Sequence, residues 1–155
     1  MLFYFFCAII ISEFYRNWSV PISKNKIIYK NIKKVDNESK ICIVLRTQKL
    51  VDTYYDYFSS KDFQTLKISR NSKDDLSNTN VRIATMHRVK GLDFDHVIIA
   101  SMNKGIVPYE TGEISDEELI NKEYLQKEKS LVFVAATRAK KSLLVTSYGT
   151  KSEFL

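Results

Sequence analysis

The sequence predicts an α/β fold with a mainly parallel sheet flanked by helices. Ile41-Cys42-Ile43-Val44-Leu45 is a continuous apolar, β-branched run, the pattern of a strand buried on both faces. Just after it, Leu50, Val51, Tyr54, Tyr55 and Phe58 recur on one face of a helix, so strand and helix form half of a βαβ unit. Val81 to Ala100 then holds two apolar strand-like runs around a polar turn with His87, Arg88, Lys90, Gly91 and Asp93. Two buried strands around a basic turn put those groups at one lip of the sheet, where open α/β sheets receive ligands.

At 155 residues and 45% apolar content, the chain is long enough for one domain with a real core and too short for two. The first twelve residues, MLFYFFCAIIIS, are almost wholly apolar but reach only about half the roughly 20 residues of a membrane span. They read as a buried strand or helix, with a membrane anchor or a docking segment as alternatives. The Lys- and Asn-rich stretch from Ser19 to Lys40 reads as a surface helix, amphipathic around Ile27, Ile28 and Ile32, or as a linker. Phe63 to Ile68 is a candidate strand, Ser69 to Asn80 a polar loop, and Met102 to Gly112 a turn-rich connection.

The next helix has several agreeing start signals. Ser115 as N-cap with Glu118 three residues on forms a capping box, and Ile114 can staple onto Leu119. The helix should run to about Ala139, with Ile120, Tyr124, Leu131, Val134 and Ala135 facing inward. Arg138 closes that stripe. An arginine there either receives an anion in a cleft or, with Lys140 and Lys141, neutralises the helix C-terminus. Ser142 to Tyr148 is the last strand.

Charge and cysteine usage narrow the function classes. Residues 1–50 carry nine Lys/Arg against three Asp/Glu, and residues 51–155 carry fifteen of each, so the whole net charge of +6 is N-terminal. Nucleic-acid contact by the later part must come from a few placed side chains, not from a general field. Cys7 and Cys42 lie far apart with no metal-ligand spacing, which suits two thiols in a reducing, cytoplasmic setting.

Two stretches carry a family resemblance. Thr85-Met86-His87-Arg88-Val89-Lys90-Gly91-Leu92-Asp93-Phe94 resembles motif V of the UvrD-like superfamily 1 DNA helicases, T-x-H-x-x-K-G-x-E/D-F. Glu128 to Lys140, EKSLVFVAATRAK, resembles their motif VI, with Y-V-A-x-T-R-A at its core. Val44-Leu45-Arg46-Thr47 is similar to a weaker segment upstream. The likeness covers about residues 40–155 and leaves 1–39 as an apolar and basic segment outside it.

The resemblance implies the second, C-terminal RecA-like domain of such a helicase, a P-loop NTPase type of fold without the P-loop itself. Arg138 would be the arginine that reaches the γ-phosphate of ATP, a catalytic arginine finger. Lys90, Gly91 and Asp93 would line the nucleotide side, with Asp93 where the family usually has Glu near the ribose. Thr85 and His87 would face single-stranded DNA, although a histidine near a strand end is also often structural. No G-x-x-x-x-G-K-[ST] loop and no strand ending in paired acidic residues occurs, so the phosphate cradle and Mg²⁺ would belong to a first RecA-like domain elsewhere. A fragment of a split or decayed helicase gene, a subunit pairing with a separate first domain, and a non-catalytic single-stranded nucleic-acid-binding module all fit that absence. No membrane contact is expected.

Overall fold

The computed structural model describes residues 7–13, 22–61, 63–69, 81–110 and 118–155. They form strands β1 (Cys7–Glu13), β2 (Ile41–Leu45), β3 (Thr65–Lys67), β4 (Val81–Thr85), β5 (Phe94–Ile99) and β6 (Ala139–Tyr148), with helices α1 (Ile22–Ile32), α2 (Gln48–Ser59) and α3 (Glu118–Ala136). The strands make one six-stranded sheet in the order β1-β6-β5-β2-β4-β3, and every strand pairing in it is parallel. The five residues of β2 are all buried, as expected for a central parallel strand.

Side-chain alternation gives the sheet two apolar faces. Ile41, Ile43, Leu45, Val81, Ile83 and Ile98 meet Ile28 and Ile32 of α1 and Val51, Tyr54 and Phe58 of α2. Thr47 caps α2, its hydroxyl accepting from the Leu50 N–H at 3.3 Å. Cys42, Val44, Ala84, Val97, Ile99 and Val145 face the other way and meet Ala135 of α3. Residues before 40 thus contribute an edge strand and a core-forming helix to the same sheet. Cys42 is a free, fully buried thiol, and burial pushes its pKa far up.

Several boundaries differ from those the sequence predicts. The capping residues Ile114 and Ser115 lie outside the described residues. α3 ends at Ala136, so β6 begins at Ala139 rather than Ser142, because the Phe94 N–H bonds to the Arg138 carbonyl at 2.9 Å and draws the chain into the sheet early. Ile120 is 49% exposed and not inward, whereas Glu128 and Ala135 are the buried residues of the helix.

The polar turn after β4 is not at one lip of the sheet. β4 and β5 are parallel and β2 lies between them, so residues 86–93 cannot close a hairpin and must cross one face from the carboxyl edge to the amino edge. Met86 and Val89 are fully buried and Leu92 packs on the same cluster, a three-residue spacing that lays the crossover over Cys42 and Val44. A run of alternating strands and charges in sequence cannot distinguish this crossover from a turn, since the order of strands is a long-range property.

Candidate functional site

The crossover divides the motif V-like stretch between two edges of the sheet. Thr85 pairs with Leu45 at the carboxyl end of β2, while His96 pairs with Ile41 at its amino end, about 13 Å away along the strand. Asp93 lies still further toward the amino edge, before the start of β5. α3 runs alongside: Glu128 meets Arg46 just beyond the carboxyl end of β2, and Arg138 sits in the turn between α3 and β6, ten residues or about 15 Å later.

At the amino edge, Arg138 and Asp93 come together. Arg138 Nη1 is 3.5 Å from Asp93 Oδ1, and Lys140 Nζ is 3.7 Å from the other oxygen. Arg138 Nε donates to the Val134 carbonyl at 3.2 Å and Nη2 to Thr137 Oγ1 at 3.4 Å, which holds the guanidinium against the end of α3. Arg138 thus bonds the end of its helix and presents a cation beside a carboxylate at a partly open edge. Lys90 and Gly91 are exposed on the crossover between the two edges. Gly91 has φ +83°, a conformation that suits glycine and ends the short turn before Leu92.

At the carboxyl edge, Thr85 is half-buried, its carbonyl accepting from the Arg88 N–H at 2.9 Å, and His87 is exposed. Beside them is a cluster that sequence reasoning missed. Arg46 forks onto Glu128, Nε to Oε2 at 2.8 Å and Nη2 to Oε1 at 2.7 Å, with 14% and 6% of the two side chains exposed. The Tyr109 N–H donates to Glu128 Oε2 at 3.1 Å, the Tyr109 ring lies 5.2 Å from the Arg46 guanidinium carbon, and the Tyr124 hydroxyl donates to the Tyr109 carbonyl. A signal existed: Tyr124, Glu128, Leu131 and Ala135 share helical spacing, and a carboxylate on an inward stripe requires a cationic partner.

The electrostatics of this cluster follow from its packing. Burial pushes the Glu128 carboxyl up, but hydrogen bonds from Arg46 and the Tyr109 N–H, with the Arg46 charge, outweigh it and hold the group below its ordinary value. For Arg46 the hydrogen bonds to Glu128 outweigh burial and raise its pKa. His87 is held below 6.5, first by partial burial and then by the Arg46 charge, with Glu128 opposing.

The comparisons with known proteins decide the family. A family model described as the UvrD-like helicase C-terminal domain matches residues 63–150, more than half of the chain. The chain belongs to this family. It is 32% identical over 81 residues to the ATP-dependent DNA helicase Rep of Buchnera aphidicola, covering 52% of this chain and 11% of that protein. It is 34% identical over 91 residues to the "Probable DNA helicase II homolog" of Mycoplasma genitalium, covering 58% of this chain and 12% of that one. The chain thus spans about a tenth of the length of these relatives. Among solved structures, the C-terminal domain of a possible DNA helicase from Lactobacillus plantarum WCFS1 superposes with a TM-score of 0.62 at 16% identity, over 92% of this chain and 76% of that chain, which shows the fold. The UvrD-like C-terminal domain here is accordingly a RecA-like α/β sheet. Among its described residues no three His, Cys, Asp or Glu side chains gather as metal ligands, and no helix is long and apolar enough to cross a membrane.

Proposed function

We propose that this UvrD-like C-terminal domain serves an ATP-dependent DNA helicase, its amino edge closing on ATP held by another domain while its carboxyl edge contacts single-stranded DNA. The observation that carries this reading is the separation of the motif V-like stretch, with Thr85 and His87 at one edge and Asp93 beside Arg138 at the other. A domain that converts nucleotide state into movement along a strand needs both contacts on one rigid body.

The residues present fit a nucleotide. Arg138 is anchored through Nε on α3, and its Nη1 lies 3.5 Å from a carboxylate, an oxygen anion whose place a phosphate oxygen can take. In that position the guanidinium would stabilise charge on the transferring γ-phosphoryl group. Asp93 can accept a hydrogen bond from a ribose hydroxyl, and Lys90 adds positive charge between the edges. ATP, when bound, supplies the phosphoryl group on which this edge would close, and its hydrolysis would release that closure. The phosphate cradle and the Mg²⁺ ligands have to come from a first RecA-like domain, in trans or in the same polypeptide, because this sequence contains no G-x-x-x-x-G-K-[ST] loop.

The test combines two measurements. The purified chain alone, with ATP, Mg²⁺ and single-stranded DNA, should release no ADP above background, and addition of an ATP-binding domain from a related helicase should give turnover that Arg138→Ala abolishes. Its affinity for a single strand should fall with salt and with His87→Ala. Turnover by the isolated chain that requires Arg138 would refute the dependence on a second domain. Salt-sensitive strand binding without any Arg138-dependent turnover in the mixture would favour a non-catalytic binding module.

A further inference from the structure

The Arg46 and Glu128 pair is buried, bidentate and far from the nucleotide edge. Neither side chain is used by the reading above. Its contacts join three separate segments at one point: Arg46 follows β2, Glu128 belongs to α3 and Tyr109 lies in the loop after β5, while His87, which follows β4, is near enough to sense the charges of both Arg46 and Glu128. Glu128 is the hub. One of its oxygens takes both Arg46 Nε and the Tyr109 N–H, while the other takes Arg46 Nη2. The Tyr109 carbonyl is tied in turn by the Tyr124 hydroxyl, one helical turn before Glu128 on α3. The loop carrying Tyr109 is therefore pinned to α3 on both sides of that residue.

The pinning leaves one aromatic ring in a specific place. The Tyr109 ring is packed against the Arg46 guanidinium, yet the residue is 40% exposed, at the same edge as His87. An exposed ring held by its backbone and backed by a cation loses little further freedom when a flat group docks on it. Bases of a single strand are such groups.

We propose that Glu128, through Arg46 and the Tyr109 N–H, is a positioning residue that holds the Tyr109 ring, at the edge that carries His87, as a preorganised surface for single-stranded nucleic acid. Glu128 itself touches no ligand; it acts by fixing the loop and by neutralising Arg46, whose fork is fully engaged. The inference rests on the carboxyl edge being the nucleic-acid edge, so the two need separate tests.

Charge gives a test with opposite signs. Glu128→Gln leaves a similar shape but makes the chain more positive by one charge. If Glu128 were only a nearby negative charge, the variant would bind a polyanion more tightly. As a positioning residue, its loss loosens Tyr109 and weakens binding by about five-fold or more, the low end for one lost base stack. The measurement is fluorescence anisotropy of a labelled oligo(dT) strand against the purified chain over a range of salt, with thermal melting as a check on folding. Arg46→Met combined with Glu128→Leu provides a second variant of unchanged net charge and apolar packing. It should fold, lose affinity similarly and keep the salt slope, since no phosphate contact is removed.

Tighter or unchanged binding by Glu128→Gln, or wild-type affinity in the folded double variant, overturns the positioning role. Absence of salt-dependent binding by the wild-type chain, or indifference to both His87→Ala and Tyr109→Ala, overturns the edge assignment beneath it.

Discussion

Arg138 Nη1 lies 3.5 Å from Asp93 Oδ1, which joins the end of α3 to the end of the crossover at the amino edge of the sheet. The side chains are 26% and 53% exposed, and Lys140 shares the carboxylate at 3.7 Å. An ion pair this open to water contributes little to stability, of the order of 0 to 1 kcal/mol, so it can be exchanged for another anion at small cost. Asp93→Asn should therefore change the unfolding free energy by less than about 1 kcal/mol in urea titration. In the presence of an ATP-binding domain the same variant should raise KM for ATP. A large loss of stability would mean that the pair is structural.

Arg138→Ala separates the two edges. Arg138 is more than a Debye length of about 8 Å from the carboxyl end of β2, so its charge is largely screened from a strand bound there. Single-strand affinity should stay within about two-fold of the unmodified chain in an anisotropy titration at physiological salt. Turnover in the presence of an ATP-binding domain should fall by about 10³-fold or more, the usual worth of an arginine finger. A parallel loss of strand affinity would show that one edge serves both ligands.

What the sequence made legible was local. β2 and the inward face of α2 follow from the unbroken run Ile41 to Leu45 and the spacing of Val51, Tyr54 and Phe58, and all of these are buried. The proximity of Asp93 to Arg138 was implicit in the two motif-like stretches. The crossover was not legible, because Val81 to Ala100 reads the same whether its strands are neighbours or are separated by β2. Nor was the cluster at the carboxyl edge, since Arg46, Tyr109 and Glu128 are brought together only by the order of β2, β4 and β5 and the path of α3. A carboxylate within an apolar stripe was the one local trace of it.

Gly91→Ala tests the turn at the end of the crossover. At φ +83° an alanine is strained, although its Cβ would meet nothing within 4 Å. The cost should be backbone strain alone, about 1 kcal/mol, seen as a lower urea midpoint with an unchanged m-value. Because Gly91 precedes Asp93 by two residues, the variant should also disturb the amino edge while strand binding at the carboxyl edge remains. A larger loss, of 3 kcal/mol or more on the scale of core defects, would indicate that the turn is packed rather than open.

α2 offers a calibration of the core. Phe58 is fully buried against Tyr57, Phe63 and the β2 face, and Phe58→Ala should cost about 3 to 5 kcal/mol by transfer and cavity formation. Thr47→Ala removes only the cap on the Leu50 N–H and should cost about 1 kcal/mol. Urea unfolding of both variants checks the ratio. Equal costs would show that the end of α2 is held by the cap as much as by its buried face.

Acid should act on the domain through Glu128. Its folded-state pKa lies below the ordinary value of 4.5, so the folded chain holds the proton less tightly than the unfolded chain does. The resulting stability is fully present above that ordinary value and is lost as the pH falls through the depressed folded value. Protonation removes the charge that Arg46 needs, leaving a guanidinium with 14% of its side chain exposed and no anionic partner on α3. Glu128→Gln should be less stable than the unmodified chain at pH 7 and should show a flatter decline in urea midpoint between pH 7 and about pH 3, so that the two curves converge in acid. Parallel curves across that range would show that other carboxylates, such as Asp95 held low by the Lys40 N–H and by Lys141, govern the acid response instead.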